Sequence, residues 1–421
     1  MAEKDSVEDV EFGRPKELPD TLGPSSQPAN VDLGAERALR WRQDKRIIPL
    51  SAGIYFLCYL DRSNIVMFAW GACTMGLGGV HNYASVTVVR FLLGVFEAGL
   101  FPGLVYYLTF WYTSSERSLR VAFILASATL AGAFGGAIAY GVGHMNQAGG
   151  LSAWRWLFII EGAPSCLSAL AVWLLLPDYP EDVKWLTAAE KTLAANRLRL
   201  EGSKGHDGGM KWADAKATLG DLRLWGHYLV YFGISVPFSS LSLFTPSITA
   251  GLGYKDLQAQ LMTVPPYAVA YVVQIITSWS ADRFNARGLH SAALATLGAL
   301  GFLVSAVLPA DHYSSRYGCL IVAASGAFAC IPPLLGWLSS NIFSTASVGL
   351  AIALNIGLGG APGQIVGVWI YKADEATIGY PTGHWTNAAL LFMVAVGCVM
   401  LRVYYGWRNS KMSGEARLFK Y

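Results

Sequence analysis

The amino-acid sequence predicts an all-α polytopic membrane protein. About ten stretches of roughly 20 to 30 mainly apolar residues run through the chain, and an α-helix needs about 20 such residues to cross a hydrocarbon core of about 30 Å. Hydrophobic residues make up 53% of the 421 residues and charged residues only 14%. Soluble domains carry about 25% charged residues, so the composition disfavours a soluble fold.

The first predicted crossing, 47–79, differs from the others in being interrupted by Asp61, Arg62 and Asn64. Its two apolar pieces are each too short for an ordinary crossing, so the segment is expected to cross once, or once with a partial re-entry. About 11 membrane segments are therefore expected in total. The other predicted crossings are 83–112, 121–142, 154–176, 225–250, 257–280, 289–310, 317–338, 348–371 and 385–407.

Polar segments divide the chain into five predicted domains. Residues 1–46 are polar and rich in Pro and Ser, which is typical of a disordered tail. An N-terminal helix bundle at 47–176 is joined by a polar linker at 177–224 to a six-helix bundle at 225–407, and 408–421 form a second tail. Lys and Arg concentrate in both tails, in the linker and in alternate loops, which predicts that these parts face the cytoplasm. The plasma membrane is the expected location.

The first bundle is shorter than the second and is expected to be incomplete. The membrane part of the second half runs from position 225 to 406, whereas that of the first half runs only from 47 to 176. The shortfall is roughly 50 residues, which corresponds to about two membrane helices with their loops.

Two charged residues lie inside one apolar stretch, Arg90 and Glu97. A charge at mid-membrane costs roughly 2.5 to 3.5 kcal/mol on insertion scales, which makes intramembrane charges candidates for function. Arg90 is expected to contact a substrate anion, with a structural ion pair as the alternative. Glu97 either carries a proton or packs as a protonated acid bonded to a backbone carbonyl.

For other candidate residues, a structural role is the alternative to a role in transport. Asp61 and Arg62 form either part of the transport site or an interfacial pair. Asp282 and Arg283 form either a gating latch or a positive anchor at the membrane surface. Tyr267 and Asn355 are further substrate-binding candidates. Close helix packing is expected at the glycines of one apolar span, Gly132, Gly135, Gly136, Gly141 and Gly143, and helix kinks at Pro265 and Pro266.

The sequence offers no pattern typical of an enzyme or of a metal protein. Ser/His/Asp and Cys/His constellations at usable spacing are not found, and the six cysteines are scattered singly through apolar stretches. No cofactor and no metal are therefore expected. The net charge of +3 gives no indication of nucleic-acid binding. The expected partners are the lipid bilayer, a small substrate and protons, with the protein acting as a monomer.

Several runs resemble one family in the right order along the chain. They are YFLCYLDRSNI (55–65), VVRFLLGVFEAGLFPGLVYYLTFWY (88–112), WRWLFIIEG (154–162), LPDYPE (176–181), TVPPYAVA (263–270) and YPTGHWTNAAL (380–390). Together they resemble the fungal anion:cation symporter branch of the major facilitator superfamily, the allantoate permease type. The resemblance implies a two-bundle fold and proton-coupled symport of a small organic anion or carboxylate vitamin, such as allantoate, nicotinate or pantothenate.

The resemblance also implies roles for particular residues. Related vesicular glutamate and sialic-acid carriers are similar in having an Arg in the first helix and an Arg-x-x-x-Gly-x-x-Glu pattern in the fourth, here Arg90, Gly94 and Glu97. By that similarity Arg62 and Arg90 would bind the anion, and Glu97, with Asp61, would couple transport to protons. The sequence departs from the family after Ile65, where the second helix and the start of the third are missing. The alternative is a transport-incompetent truncated membrane protein: a sensor, a partner of a full-length relative, or the product of a mis-spliced gene model.

Overall fold

The computed structural model describes residues 33–57, 64–98, 103–104, 107–108, 110–177, 179–200, 212–254, 256–342, 345–411 and 419. Within these ranges every regular element is helical, as the apolar spans predicted. Eight of the described helical segments are long and apolar enough to cross a membrane. Two shorter apolar helices, Phe68–Leu77 and Tyr83–Phe96, lie in the first half.

The first half comprises α1 (Leu33–Leu57), α2 (Asn64–Leu77), α3 (Tyr83–Ala98), α4 (Ser114–Gly143) and α5 (Ala153–Leu175). Helix α2 has 14 residues. At about 1.5 Å per residue it is about 21 Å long, which is less than a hydrocarbon core of about 30 Å. It packs tightly on α5, since a Cβ atom on Gly71 would lie 2.9 Å from the backbone nitrogen of Cys166. Helix α3 packs on α2.

Helix α1 begins well before the membrane boundary that the apolar pattern predicted. Residues 33–46, which the composition assigned to the disordered tail, are helical. Ion pairs explain the difference, because Glu116 at the start of α4 is buried and pairs at 2.6 Å with both Arg40 of α1 and Arg197. Arg120 of α4 also holds Asp44 of α1 through two hydrogen bonds of 3.1 and 2.5 Å.

Part of the predicted linker is also helical, in α6 (Ala188–Leu200) and α7 (Trp212–Leu219). Thr187 and Glu190 form a capping box at the start of α6: the Thr187 backbone N–H donates to the Glu190 carboxylate at 2.9 Å, and the Glu190 backbone N–H donates to the Thr187 hydroxyl at 3.3 Å. The Thr187 backbone hydrogen bond lowers the pKa of Glu190. The same carboxylate pairs with Arg42 of α1 at 2.9 Å, and Arg197 of α6 pairs with Glu36, so α1 and α6 are joined at two places.

The second half contains α8 (Leu222–Gly251), α9 (Asp256–Leu261), α10 (Val264–Arg283), α11 (Arg287–Val307), α12 (Tyr313–Ala329), α13 (Ile331–Ser340), α14 (Thr345–Leu354), α15 (Ala361–Trp369) and α16 (Pro381–Lys411). Three predicted crossings are each divided into two helices: α9 and α10, α12 and α13, and α14 and α15. Proline explains the divisions, because it lacks the N–H that a helix interior needs but fits the first turn of a helix. Pro265 and Pro266 open α10, which agrees with the predicted kink.

The two halves meet where α4 packs against α9, α10 and α13. A Cβ atom on Gly136 would lie 2.7 Å from the carbonyl oxygen of Gln260 and would also collide with the Thr263 hydroxyl. A Cβ atom on Gly132 would lie 2.9 Å from the nearest atom of the Tyr267 ring. The predicted close packing is therefore confirmed at these glycines and at Gly143, whereas no described atom outside the local helix backbone lies within 4 Å of the Cβ positions of Gly135 and Gly141.

The pair Gly136 and Gly135 tests whether this contact holds the halves together. Gly136→Ala places a methyl group against backbone of α9 and should lower stability by about 1 to 3 kcal/mol. Gly135→Ala is the matched control, because its methyl group enters open space and alanine is favoured over glycine in a helix by up to about 1 kcal/mol. Thermal unfolding of the purified protein in detergent should separate the two variants; equal stabilities would show that the seam is not a tight contact.

Candidate functional site

Helix α3 carries both Arg90 and Glu97. Because the helix is continuous from Tyr83 to Ala98, the two residues lie on nearly the same face and about 10 Å apart along the axis. The Arg90 side chain is exposed, and its guanidinium carbon lies 5.9 Å from the centre of the Phe158 ring of α5. Among the described residues, no acidic side chain pairs with Arg90.

Three predicted site residues have side chains that fall outside the described part of the chain. Asp61 and Arg62 lie in the range between α1 and α2 that is not described, and Glu97 is described only as a backbone position in α3. Their predicted parts in anion binding and proton coupling stay predictions.

Tyr267 lies where the two halves meet. It is buried on α10, and its hydroxyl donates to the carbonyl oxygen of Leu241 on α8 at 3.3 Å. The ring faces Gly132 of the first half and lies 5.3 Å, centre to centre, from Phe328 on α12. This predicted substrate-binding residue therefore occupies the seam, where a relative movement of the halves would change its surroundings.

A second polar contact crosses the seam beside Tyr267. The Thr129 hydroxyl of α4 donates to the side-chain oxygen of Gln274 on α10 at 2.8 Å, and both residues are buried. Sequence reasoning missed this pair because neither side chain is charged, and a search for charges in apolar spans passes over them. A buried neutral hydrogen bond between the halves can break and re-form without leaving a charge in the membrane.

Asn355 opens a widened helical turn, Asn355–Gly360, between α14 and α15. Such turns occur often at functional sites because they disturb the regular hydrogen-bond pattern. Asn355 is only 2% exposed, and its side-chain oxygen has no hydrogen-bond partner among the described residues. An unsatisfied buried acceptor costs roughly 1 to 3 kcal/mol, so this oxygen is suited to accept a hydrogen bond from a bound molecule or water.

A buried polar network joins α16 to α8. The Asn387 amide donates to the hydroxyls of Ser240 at 2.9 Å and of Tyr371 at 3.3 Å, and the Tyr371 hydroxyl lies 3.2 Å from Nδ1 of His384. The motif at 380–390 supplies His384 and Asn387, but the sequence could not show which partners they meet. Arg316, buried on α12, donates to the carbonyl oxygen of Gly379 in the loop before α16.

The predicted gating residues lie at the end of α10. Asp282 accepts a hydrogen bond at 2.8 Å from Arg287, which is buried at the start of α11 and also donates to Ser340 of α13. The pair thus ties together three helices of the second half. Arg283 is exposed. The predicted latch between Asp282, Arg283 and the other half stays a prediction.

Within the described ranges, no group of three or more His, Cys, Asp or Glu side chains is arranged to hold a metal ion.

Comparisons with known proteins agree with this architecture. A family model described as the Major Facilitator Superfamily matches residues 51–368. The chain is 66% identical over 480 residues to the MFS transporter prlL of a fungal species (strain NRRL 50135), covering 99% of this chain and 96% of that protein. It is 29% identical to the putative tartrate transporter of Agrobacterium vitis, covering 94% and 88% of the two chains.

A solved structure supports the fold. The proton:xylose symporter XylE superposes on this chain with a TM-score of 0.64 at 14% sequence identity, covering 92% of this chain and 84% of XylE. At that identity the likeness concerns the fold alone. Together with the family match, the helical architecture shows that this chain is not an enzyme but an integral, multi-pass membrane transporter that belongs to the Major Facilitator Superfamily.

Proposed function

We propose that this protein is a proton-coupled secondary transporter of a small organic anion or carboxylate vitamin, of the size of allantoate, nicotinate or pantothenate. The observation that carries the proposal is Arg90, a cation on an apolar helix with no acidic partner among the described residues. A guanidinium group binds a carboxylate through two parallel hydrogen bonds, and in a site with little water such a pair gains strength.

Two further observations support an anionic substrate. The motifs along the chain resemble those of the allantoate permease type, whose members carry organic anions. One relative is named as a putative tartrate transporter, and tartrate is a small dicarboxylate.

Within this proposal, Arg90 and Arg62 bind the carboxylate, while Tyr267 and Asn355 contribute neutral polar contacts. Glu97, with Asp61, carries the proton. Arg90 and Glu97 lie about 10 Å apart on one face of α3, so a substrate anion and a proton occupy separate positions along the same helix. Asp282 and Arg283 act at the gate, and the halves move against each other at the seam between α4 and α10.

We also propose that the first bundle is incomplete, with about 11 membrane segments in place of 12. Helix α2 has 14 residues and is too short to cross a membrane by itself, which supports a loss of helical length at the position after Ile65, within α2. The alignment with prlL extends over 480 positions, which is more than the 421 residues of this chain. Some aligned positions therefore have no residue in this chain, which supports a loss of residues inside the aligned range. The wide coverage of that relative favours a transporter over a membrane protein of another class.

The charge distribution supports cytoplasmic termini, and we place the protein in the plasma membrane. Lys and Arg residues lie along the polar part of α1, on α6 and α7, and at the end of α16. Both tails and the linker would then face the cytoplasm.

Replacing Arg90 by lysine tests anion binding. Arg90→Lys keeps the charge but loses the guanidinium fork, and we expect a loss of carboxylate affinity of roughly 10- to 100-fold. Binding of nicotinate, pantothenate and tartrate to the purified protein is measured by calorimetry, with and without a family-type segment inserted after Ile65. Arg408→Lys, at an exposed position near the end of α16, is the matched control and should bind as the parent does. Unchanged affinity in Arg90→Lys would assign Arg90 to structure.

Replacing Glu97 by glutamine tests proton coupling. Glu97→Gln removes the titrating proton, so the variant should still exchange labelled substrate across proteoliposome membranes but should not accumulate it under an imposed pH gradient. Glu161→Gln on α5 is the matched control, because it changes an acidic residue in a different apolar span of the first half, and it should accumulate substrate normally. If Glu97→Gln still drives uphill uptake, the proton is carried elsewhere.

A further inference from the structure

Three basic side chains and a tryptophan surround a cavity of about 260 Å³ at the membrane boundary of α1. Arg42, Lys45 and Arg46 stand three and four residues apart on α1 and therefore share one helix face. Trp185, from the segment between α5 and α6, also lines the cavity. We call these four residues the basic groove.

Aromatic rings hold the cations of the basic groove in place. The Lys45 ammonium lies 3.6 Å from the centre of the Trp41 ring, and the Arg46 guanidinium carbon lies 4.9 Å from the centre of the Trp185 ring. Trp185 in turn stacks on Trp111 with an angle of 8° between the ring planes. Because the rings restrict these long side chains, less conformational entropy is lost when a ligand binds to them.

The charge of the basic groove is only partly neutralised. Arg42 pairs with Glu190 at 2.9 Å. Among the described contacts, this is the one carboxylate that pairs with any of the three cations. The neighbouring carboxylate of Glu116 has other partners, since it is held by Arg40 and Arg197. Both Lys45 and Arg46 are exposed and have only aromatic neighbours among their described contacts. The groove therefore presents unpaired positive charge to its surroundings.

The groove also lies next to the predicted start of the first membrane crossing, at residue 47. Arg46 is the last charged residue of α1 before the charge-free stretch 47–57. The Trp41 side chain is 59% exposed beside it. Tryptophan is enriched at the membrane–water interface because its ring is apolar and its N–H is polar. Basic side chains next to a membrane helix attract anionic lipids by about 1 kcal/mol each.

We propose that the basic groove binds the phosphate group of an anionic phospholipid headgroup. Arg46 and Lys45 contact the phosphate oxygens, Arg42 adds charge while it remains paired with Glu190, and the rings of Trp41 and Trp185 lie against the glycerol and the upper acyl chain. A soluble phosphate compound has the same headgroup chemistry but no acyl chain to place against the rings. The proposal does not depend on the identity of the transported substrate.

Lipid binding to the purified full chain tests the proposal. Native mass spectrometry measures the affinity for dioleoylphosphatidate, with dioleoylphosphatidylcholine as the neutral lipid and inorganic phosphate as the soluble competitor. The variant is Lys45→Gln/Arg46→Gln, which keeps the Arg42–Glu190 ion pair that joins α1 to α6. The control is Lys216→Gln/Lys411→Gln, which removes the same charge from two exposed lysines on α7 and α16.

We expect phosphatidate to bind more tightly than phosphatidylcholine, and the groove variant to lose about 25-fold in phosphatidate affinity, roughly fivefold for each basic side chain. The control variant should retain the parent affinity, and inorganic phosphate at equal concentration should not displace the lipid. Equal losses in both variants, or no preference for phosphatidate, would overturn the proposal. Displacement by inorganic phosphate would overturn the assignment to a lipid.

A thermal unfolding curve for each variant tests whether the groove variant is folded. If it is not folded, Lys45→Gln alone, at an exposed position, gives the same test with an expected loss of roughly fivefold in phosphatidate affinity.

Discussion

The close approach of α4 to α9 and α10 is the constraint on which the described arrangement of the two halves depends. At Gly136 the helices are so near that even a methyl group would meet the carbonyl oxygen of Gln260. Without that approach, the Thr129 hydroxyl could not reach Gln274 at 2.8 Å, and the Tyr267 ring would not lie against the first half. Small residues are therefore needed on α4 for the polar contacts beside them to form.

The two halves are stabilised by different interactions outside this seam. In the first half, ion pairs at one end of the helices tie α1 to α4 and α6 through Glu116 and its two arginines. In the second half, a neutral hydrogen-bond network around Asn387 joins α16 to α8. The Asp282–Arg287 ion pair joins α10 to α11. Glu116, Arg40 and Arg197 lie outside the long apolar spans of the first half. At the seam, the described contacts of Thr129 with Gln274 and of Gly132 with Tyr267 join uncharged groups.

Much of the fold could be predicted from the sequence, because the length of an apolar stretch is set by the thickness of the bilayer. The prolines at 265 and 266 predicted a kink, and the structure divides that crossing into α9 and α10 at this place. The early start of α1 could not be predicted, since residues 33–46 are polar and their helix is stabilised by Glu116 and Glu190, which are distant in sequence.

The candidate site was predictable in part. Arg90 and Glu97 are conspicuous as charges in an apolar span, whereas Thr129 and Gln274 are neutral and become informative only when α4 and α10 are seen together. Gly135 and Gly136 are adjacent in the sequence and cannot be distinguished there. Only the packing shows that Gly136 faces α9 and that Gly135 faces open space. A single sequence does not show which face of a helix meets a partner that is distant in the chain.

Concentrative uptake is the decisive measurement for the proposal that this chain is a proton-coupled anion carrier with an incomplete first bundle. Two forms are reconstituted in proteoliposomes with an imposed pH gradient. One is the chain as it stands, and the other carries a family-type segment of about 50 residues, enough for about two membrane helices with their loops, inserted after Ile65. We expect little or no uphill uptake of a labelled carboxylate by the first form and clear uptake by the second. Robust accumulation by the chain without the insertion would contradict the incomplete first bundle, and failure of both forms with every carboxylate tested would contradict the proposed transport.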